Sequence, residues 1–427
     1  MTDINRTEGY FLPELETMPR EKRREYHNQR LSEIVDYAYQ HAPAIRQKFN
    51  DAGAEPGDVR TVEDLEKLPI TEKSDLVKKQ KEDLPFGGFA GIPVERMRRI
   101  FVSPGPIYEP GEADWEDDRW TQAFYAAGFR PGDLTVITFS YHLVPFGMAL
   151  DESFNLMGVK VIPTGVGNTE VQVNTLKDLK VTGFAGTPSF LNVIADRAEE
   201  LGLNLKKDLH LKVGFSAAEM LPESLRSSLE DRFGMIIRQS YGTADVGCLG
   251  YECRCKNGMH YPDKVIVEIV DPVTGKHLGP GEIGEVVCTV FNHVYPLIRF
   301  GSGDLAYYTD EPCVCGRTTP RIVKIVGRVD QVTKVKGMFI HPGQAAEVAK
   351  NFPEISRYQI VVTRQEHKDI MTFVAELTEE SGDTVGLAEK IAEFMPSILR
   401  IRGEVRFVPQ GTIPAGAKTI DDQRVWD

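Results

Sequence analysis

The amino-acid sequence predicts an α/β protein. A large N-terminal domain of mainly parallel, helix-covered sheet with a β-rich portion is followed by a small α+β C-terminal domain. Three observations predict it. Short apolar runs alternate with amphipathic stretches from about 134 to 233, Gly/Pro-punctuated strand patterning fills about 248–326, and the last hundred or so residues mix strands with one strong helix. We place the domain boundary between 327 and 328.

The elements follow in order. The first 50 residues read as polar helix, with apolar spacing through Leu31, Ile34, Val35 and Tyr39. Buried strands are expected at 134–140, 159–165, 181–186 and 211–217, and helices at 189–201 and 222–233. Thr187-Pro188-Ser189 and Leu221-Pro222-Glu223 are suitable helix starts, because proline suits the first turn. Strand and helix in alternation imply a parallel sheet. After Gly247 the stretch 264–290 alternates around Gly/Pro turns, and Cys288 stands in it as a core residue. Strands at 358–364, 371–378 and 404–410 with a helix at 383–398 make the last module.

Bulk properties exclude some classes. The 427 residues carry 50 Lys+Arg against 63 Asp+Glu, a net charge of −13, with no long basic run. Nucleic-acid and membrane-surface binding both need concentrated cations, so neither partner is expected. An acidic protein still binds anions where cations and backbone N–H groups are placed locally. The N-terminus lacks the apolar core of a signal peptide and no apolar run approaches ~20 residues, so a cytoplasmic location is expected.

Six segments carry chemistry-bearing residues. FVSPGPIYEPGE (101–112) is a Gly/Pro loop. A phosphate cradle wants small residues, N–H donors and a cation, but Pro104 and Pro106 remove donors and Glu109 is negative, so an ordinary surface turn is expected. GFSAAEM (214–220) runs from strand into turn, at the edge where parallel sheets hold ligands, although a packed strand-to-helix turn has the same pattern. SYGTADVG (240–247) offers an aromatic for stacking on a base, a hydroxyl for phosphate and Asp245 for Mg²⁺; a polar turn is the plain alternative. RFGSGDLAYY (299–308) sets Asp304 where it could accept from ribose hydroxyls. GRVDQVTKVKG (327–337) reads as a solvated hairpin or a hinge, and GTIPAGAKTIDD (411–422) holds Lys418 in a Gly-rich loop.

A seventh feature is a metal-ligand set. Cys253, His260, Cys313 and Cys315 supply three thiolates and an imidazole, enough for a closed tetrahedral Zn²⁺ site. Their spacing is not that of a zinc finger, so the fold must bring the halves together. Cys255 is an alternative fourth ligand, and unrelated buried thiols are the plain alternative. His142, His277 and His341 read as loop histidines, with His142 following a strand at a ligand-bearing edge.

Taken in order, these segments resemble the phenylacetate–CoA ligase branch of the adenylate-forming (acyl-CoA synthetase/luciferase) superfamily. The strongest blocks are SYGTAD, RFGSGDL, GRVDQVTKVKG and IPAGAK. The resemblance implies a large domain and a small mobile one. A small carboxylic acid, aromatic or small branched or hydroxylated, reacts with ATP/Mg²⁺ to an acyl-adenylate, and coenzyme A then displaces AMP. It implies nucleotide-binding residues Ser216, Ala217, Ala218, Glu219, Ser240, Tyr241, Gly242 and Thr243, with Thr243 at the α-phosphate, and ribose held by Asp304 and Arg328. Asp245 stands at the family's Mg²⁺-binding glutamate, Asp330 at the hinge, and Tyr141, His142 and Phe146 at the acid pocket. Lys418 would be the catalytic cation, placed where negative charge gathers in adenylation. Some members carry a structural Zn²⁺ site like the cysteine–histidine set, and a homodimer is implied by analogy.

The sequence departs from the family at 103–110. Relatives read Ser-Ser-Gly-Thr-Thr-Gly-Lys-Pro there, so both threonines, one glycine and the lysine are gone, with Glu109 at the lysine's place. Other groups would then have to hold the outer phosphates. Two other readings use the same residues: an adenylyltransferase on a non-CoA acceptor such as a deazaflavin cofactor, and a nucleotide- or acyl-binding protein with a decayed phosphate loop. Retention of Lys418 argues against the last.

Overall fold

The computed structural model describes residues 5–103, 106–111, 119–329, 333–335, 338–340, 342–365, 368–378 and 384–424. The chain divides into two compact units, 1–302 with 307–324 and 303–306 with 325–427.

In the larger unit a hairpin of β1 (Arg99–Ser103) and β2 (Ile107–Gly111) precedes the strands of the main sheet. These begin with β3 (Leu134–Ile137), β4 (Lys160–Ile162), β5 (Gly183–Gly186), β6 (Val213–Ser216) and β7 (Ile236–Thr243). They lie in the order β4-β3-β5-β6-β7, all parallel. Helices Phe146–Leu156, Thr169–Asp178, Pro188–Glu200 and Glu223–Phe233 make the crossovers between them. Thr187 caps the third, its Oγ1 accepting from the Phe190 N–H at 3.3 Å, with Pro188 in the first turn.

Successive strand residues point to opposite faces, and both faces are buried. Val136 and Phe184 join Leu191, Ile194, Leu229 and Phe233 in one core. Ile137 and Ala185 join Trp120, Phe124, Phe154 and Phe215 in the other, where the Phe124 and Phe154 rings stack at 3.6 Å.

Past β7 the direction changes. β8 (Gly247–Glu252) pairs antiparallel with β7, and β9 (Met259–His260) with β8. β10 (Val265–Val270), β11 (Gly284–Val290), β12 (Phe300–Thr309) and β13 (Arg321–Arg328) complete an eleven-stranded sheet in the order β10-β11-β12-β13-β9-β8-β7-β6-β5-β3-β4. Cys288 is fully buried in β11.

The smaller unit has a hairpin of β14 (Thr333–Val335) and β15 (Met338–Ile340), then β16 (Ile355–Gln365), β17 (Lys368–Leu377), β18 (Glu404–Val408) and β19 (Ile420–Asp422). The last four form one sheet, ordered β18-β17-β16-β19. Helices Pro342–Lys350 and Thr384–Leu399 pack with it around Val348, Ile360, Phe373 and Ile391.

The expected α/β class holds, with one local correction. The described residues of 101–112, which leave out 104, 105 and 112, are not a surface turn: β1 and β2 pair, and Ser103, Ile107, Glu109 and Gly111 face inward. The alternation Ile-x-Glu-x-Gly gave β2 a buried face that the flanking prolines concealed.

Candidate active site

Parallel strands present their carboxyl ends at one edge. There Thr138, Phe139, Ser140, Thr187, Phe190 and Val193 line a cavity of about 330 Å³. In the loop after β3, the Tyr141 hydroxyl donates to Asp151 Oδ2 at 3.0 Å. Burial raises the pKa of both groups. Phe146 packs against Phe139 at 4.5 Å and Trp120 at 5.2 Å. His142 is exposed, its backbone N–H donating to Ser140 Oγ at 3.0 Å.

Ser216 ends β6 almost wholly buried, and its hydroxyl has no hydrogen-bond partner among the described residues. Ala217 is buried, and Ala218 turns the chain with φ +67°. Glu219 accepts from Ser189 Oγ at 2.9 Å. On β7, Ser240 Oγ donates to the Gly250 carbonyl at 2.6 Å, and Tyr241 is half-buried. A side chain at Gly242 would strike the Gly247 carbonyl oxygen and the Trp120 ring. Thr243 Oγ1 is also buried without a partner among the described residues. Each such orphan costs about 1–3 kcal/mol, so a group of them at strand ends marks a ligand site.

Asp245, next in line, is 6% exposed. Its Oδ2 accepts from Lys73 Nζ at 2.8 Å, while Oδ1 has no partner among the described residues. Glu109 from β2 is 3% exposed, with the Ser103 hydroxyl beside its carboxyl. Burial first and the Asp245 charge second push its pKa up to about 7, against the Ser103 hydrogen bond and the pull of Lys73 and Arg119. The two carboxylates, Arg119, Asn292 and Tyr295 are among the walls of a second cavity of about 50 Å³. The hairpin that brings Glu109 here is held by the Val102 N–H to the Leu143 carbonyl at 2.8 Å. The Gln80 amide also bonds both backbone groups of Tyr108.

In the smaller unit, Arg328 Nη1 donates to Asp304 Oδ1 at 2.8 Å. Gly303 allows this with φ +75°, since a Cβ there would lie 2.8 Å from the guanidinium. Lys418 is exposed, and its carbonyl accepts from Gln359 Nε2 at 2.8 Å. Asp330 and His341 lie outside the described residues.

The four predicted metal ligands converge: the donor atoms of Cys253, His260, Cys313 and Cys315 all lie within 4.8 Å of one another, every residue buried. Cys253 Sγ is 3.8 Å from Cys313 Sγ, and Cys315 Sγ is 3.4 Å from His260 Nε2. Thr319 Oγ1 sits 3.2 Å from His260 Nδ1, an arrangement that fixes a ligating imidazole. Cys255 is half-buried and packs against the three thiols. The donor set and its compactness fit a tetrahedral metal.

Comparison with known proteins shows the family. The AMP-binding enzyme family model matches residues 124–290, and the AMP-binding enzyme C-terminal domain model matches 337–427. A phenylacetate–coenzyme A ligase of Thermus thermophilus is 31% identical over 95% of this chain and 96% of its own length. The chain belongs to the AMP-binding, adenylate-forming enzymes. Another phenylacetate–coenzyme A ligase, from Escherichia coli, is 30% identical over 94% of both chains. A solved open conformation of 2-hydroxyisobutyryl-CoA ligase with 2-HIB-AMP and CoA superposes with a TM-score of 0.87 at 25% identity, covering 97% of this chain and 94% of that one. As a member of this family the protein is an AMP-forming acid–CoA ligase that works through an acyl-adenylate.

Several residues beside the predicted ones had no sequence signal. Lys73 lies 172 positions from Asp245, at the start of helix Lys73–Glu82, and nothing in ITEKSDL distinguishes it from a surface lysine. Arg119 and Tyr295 reach the cavity from segments with no motif. His277 lies in a loop, away from both cavities, where a 2.6 Å bond with Glu268 raises its pKa. Among the described residues no helix is long and apolar enough to cross a membrane.

Proposed function

We propose that the activated acid is an aromatic or a small branched or hydroxylated carboxylic acid, and that coenzyme A is the acceptor. The observation behind this reading is the Tyr141–Asp151 pair set beside the Phe139–Phe146–Trp120 aromatic cluster: a polar handle next to an aromatic wall. The similarity to phenylacetate and 2-hydroxyisobutyryl-CoA ligases supports the same acid classes.

In this reading the Ser216–Glu219 turn and Tyr241 bind adenine, Ser240 and Gly242 shape that pocket, and Thr243 touches the α-phosphate. Asp304 and Arg328 hold the ribose, and His142 borders the acid. Asp330 is the hinge. Lys418 supplies the cation at the carboxylate and α-phosphate, where charge builds in the transition state. Mg²⁺ is held by Asp245, whose buried, unpartnered Oδ1 suits a hard cation. Zn²⁺ is held by Cys253, His260, Cys313 and Cys315 as a structural ion, with no part in the reaction. In this reading the enzyme is cytoplasmic, forms a homodimer by analogy with its relatives, and takes no nucleic-acid or membrane partner.

The test is an acid panel with ATP and CoA, following AMP and pyrophosphate. The expected result is CoA-dependent AMP release with one of these acid classes and loss of about 10²-fold or more in Lys418→Ala. No AMP across the panel would overturn the substrate reading. AMP transfer that proceeds undiminished without CoA would point to another acceptor, and full adenylation by Lys418→Ala would remove that residue's role.

A further inference from the structure

Two carboxylates share the small cavity beside the β1–β2 hairpin. Asp245 has Lys73 on one oxygen, whereas its Oδ1 is shielded from solvent with no hydrogen-bond partner among the described residues, and the Glu109 carboxyl is buried beside it with the Ser103 hydroxyl as its neighbour and no cation bonded to it among them. Burying charge without a partner costs several kcal/mol, and a second like charge adds to it. Such an arrangement persists where something else neutralises it. The cavity measures about 50 Å³. At about 10–15 Å³ for each water, that is room for a partly hydrated ion and far too little for a nucleotide.

We propose that Glu109 is a metal ligand: with Asp245 it forms a two-carboxylate site for a divalent cation that carries the outer phosphates of ATP. The proposal rests on the ATP-using reading above and adds to it the residue that replaces the missing lysine. Exchanging a lysine for Glu109 removes two units of positive charge, and one Mg²⁺ returns them. Mg²⁺ favours one or two carboxylates with the remaining positions left to water and phosphate oxygens, which is the supply here. Lys73 keeps Asp245 Oδ2 and turns its other protons to phosphate, and Arg119, on the same cavity wall, adds a second cation.

The experiment measures Mn²⁺ binding by electron paramagnetic resonance, with and without a non-hydrolysable ATP analogue, in the wild-type protein, Glu109→Gln and Asp245→Asn. Thermal melting checks that each variant is folded. The expected result is tight Mn²⁺ binding in the ternary complex, weakened about tenfold or more by either variant. The Mg²⁺ concentration for half-maximal AMP formation rises by a similar factor in Glu109→Gln. Unchanged Mn²⁺ affinity in folded Glu109→Gln overturns the proposal, whatever happens to its activity. Because metal binding is read directly, a failure of the acid panel leaves this result standing.

Discussion

His27, on helix Arg20–His41, has Nε2 donating to the Asp263 carbonyl at 3.1 Å. Burial, reinforced by Arg23, lowers its pKa to about 4. An unfolded histidine titrates near 6.5, so between about pH 6.5 and 4 the unfolded chain binds the extra proton and stability falls as the pH drops. With its partial exposure discounted, the loss is about 2 kcal/mol. Urea midpoints at pH 7.5 and 4.5 should show it, and His27→Gln, which keeps a donor to the carbonyl, should flatten the difference by that amount. An equal acid loss in the variant would assign the slope elsewhere. Glu109 shows the limit of reading residues by type. Its charge was visible in the sequence and marked the phosphate loop as altered, but its burial against Asp245 was not.

At the scale of elements, β7 and β8 decide how the nucleotide segment is displayed. Their register shifts between Tyr241 and Gly242, and the chain there passes so close to Gly247 and Trp120 that only glycine fits. Gly242→Ala should cost about 2 kcal/mol or more, read from the urea midpoint, and should raise the KM for ATP by displacing Thr243 and Asp245. A variant with wild-type midpoint and KM would show that the strand gives way freely. SYGTAD was legible as a motif, and the alternation of strands and helices was legible from its periodicity. The strand ends were not: the apolar run 134–140 stays strand only to Ile137, past which the Thr138 N–H still bonds the Ala185 carbonyl of β5 while Thr138–Ser140 line the cavity.

At the scale of the molecule, the cysteine–histidine cluster joins the end of β8 and β9 to the segment between β12 and β13. Its halves are 60 positions apart at Cys253 and Cys313. Metal analysis of protein purified without added zinc should find one equivalent, lost in Cys313→Ser/Cys315→Ser, with a melting temperature several degrees lower. Near-zero metal in active wild-type protein would remove the ion. The ordered motifs and apolar periodicities by themselves determined the α/β class, the family and most of the proposed nucleotide contacts, because those depend on neighbours in the chain. Only the tertiary structure decided that Lys73 bonds Asp245 and that Glu109 shares its cavity. It alone seated three cysteine and one histidine donor atoms within 4.8 Å of one another. Such pairings are set by how the sheet folds distant segments together, and burial, which local pattern does not specify, is what gives those charges their chemistry.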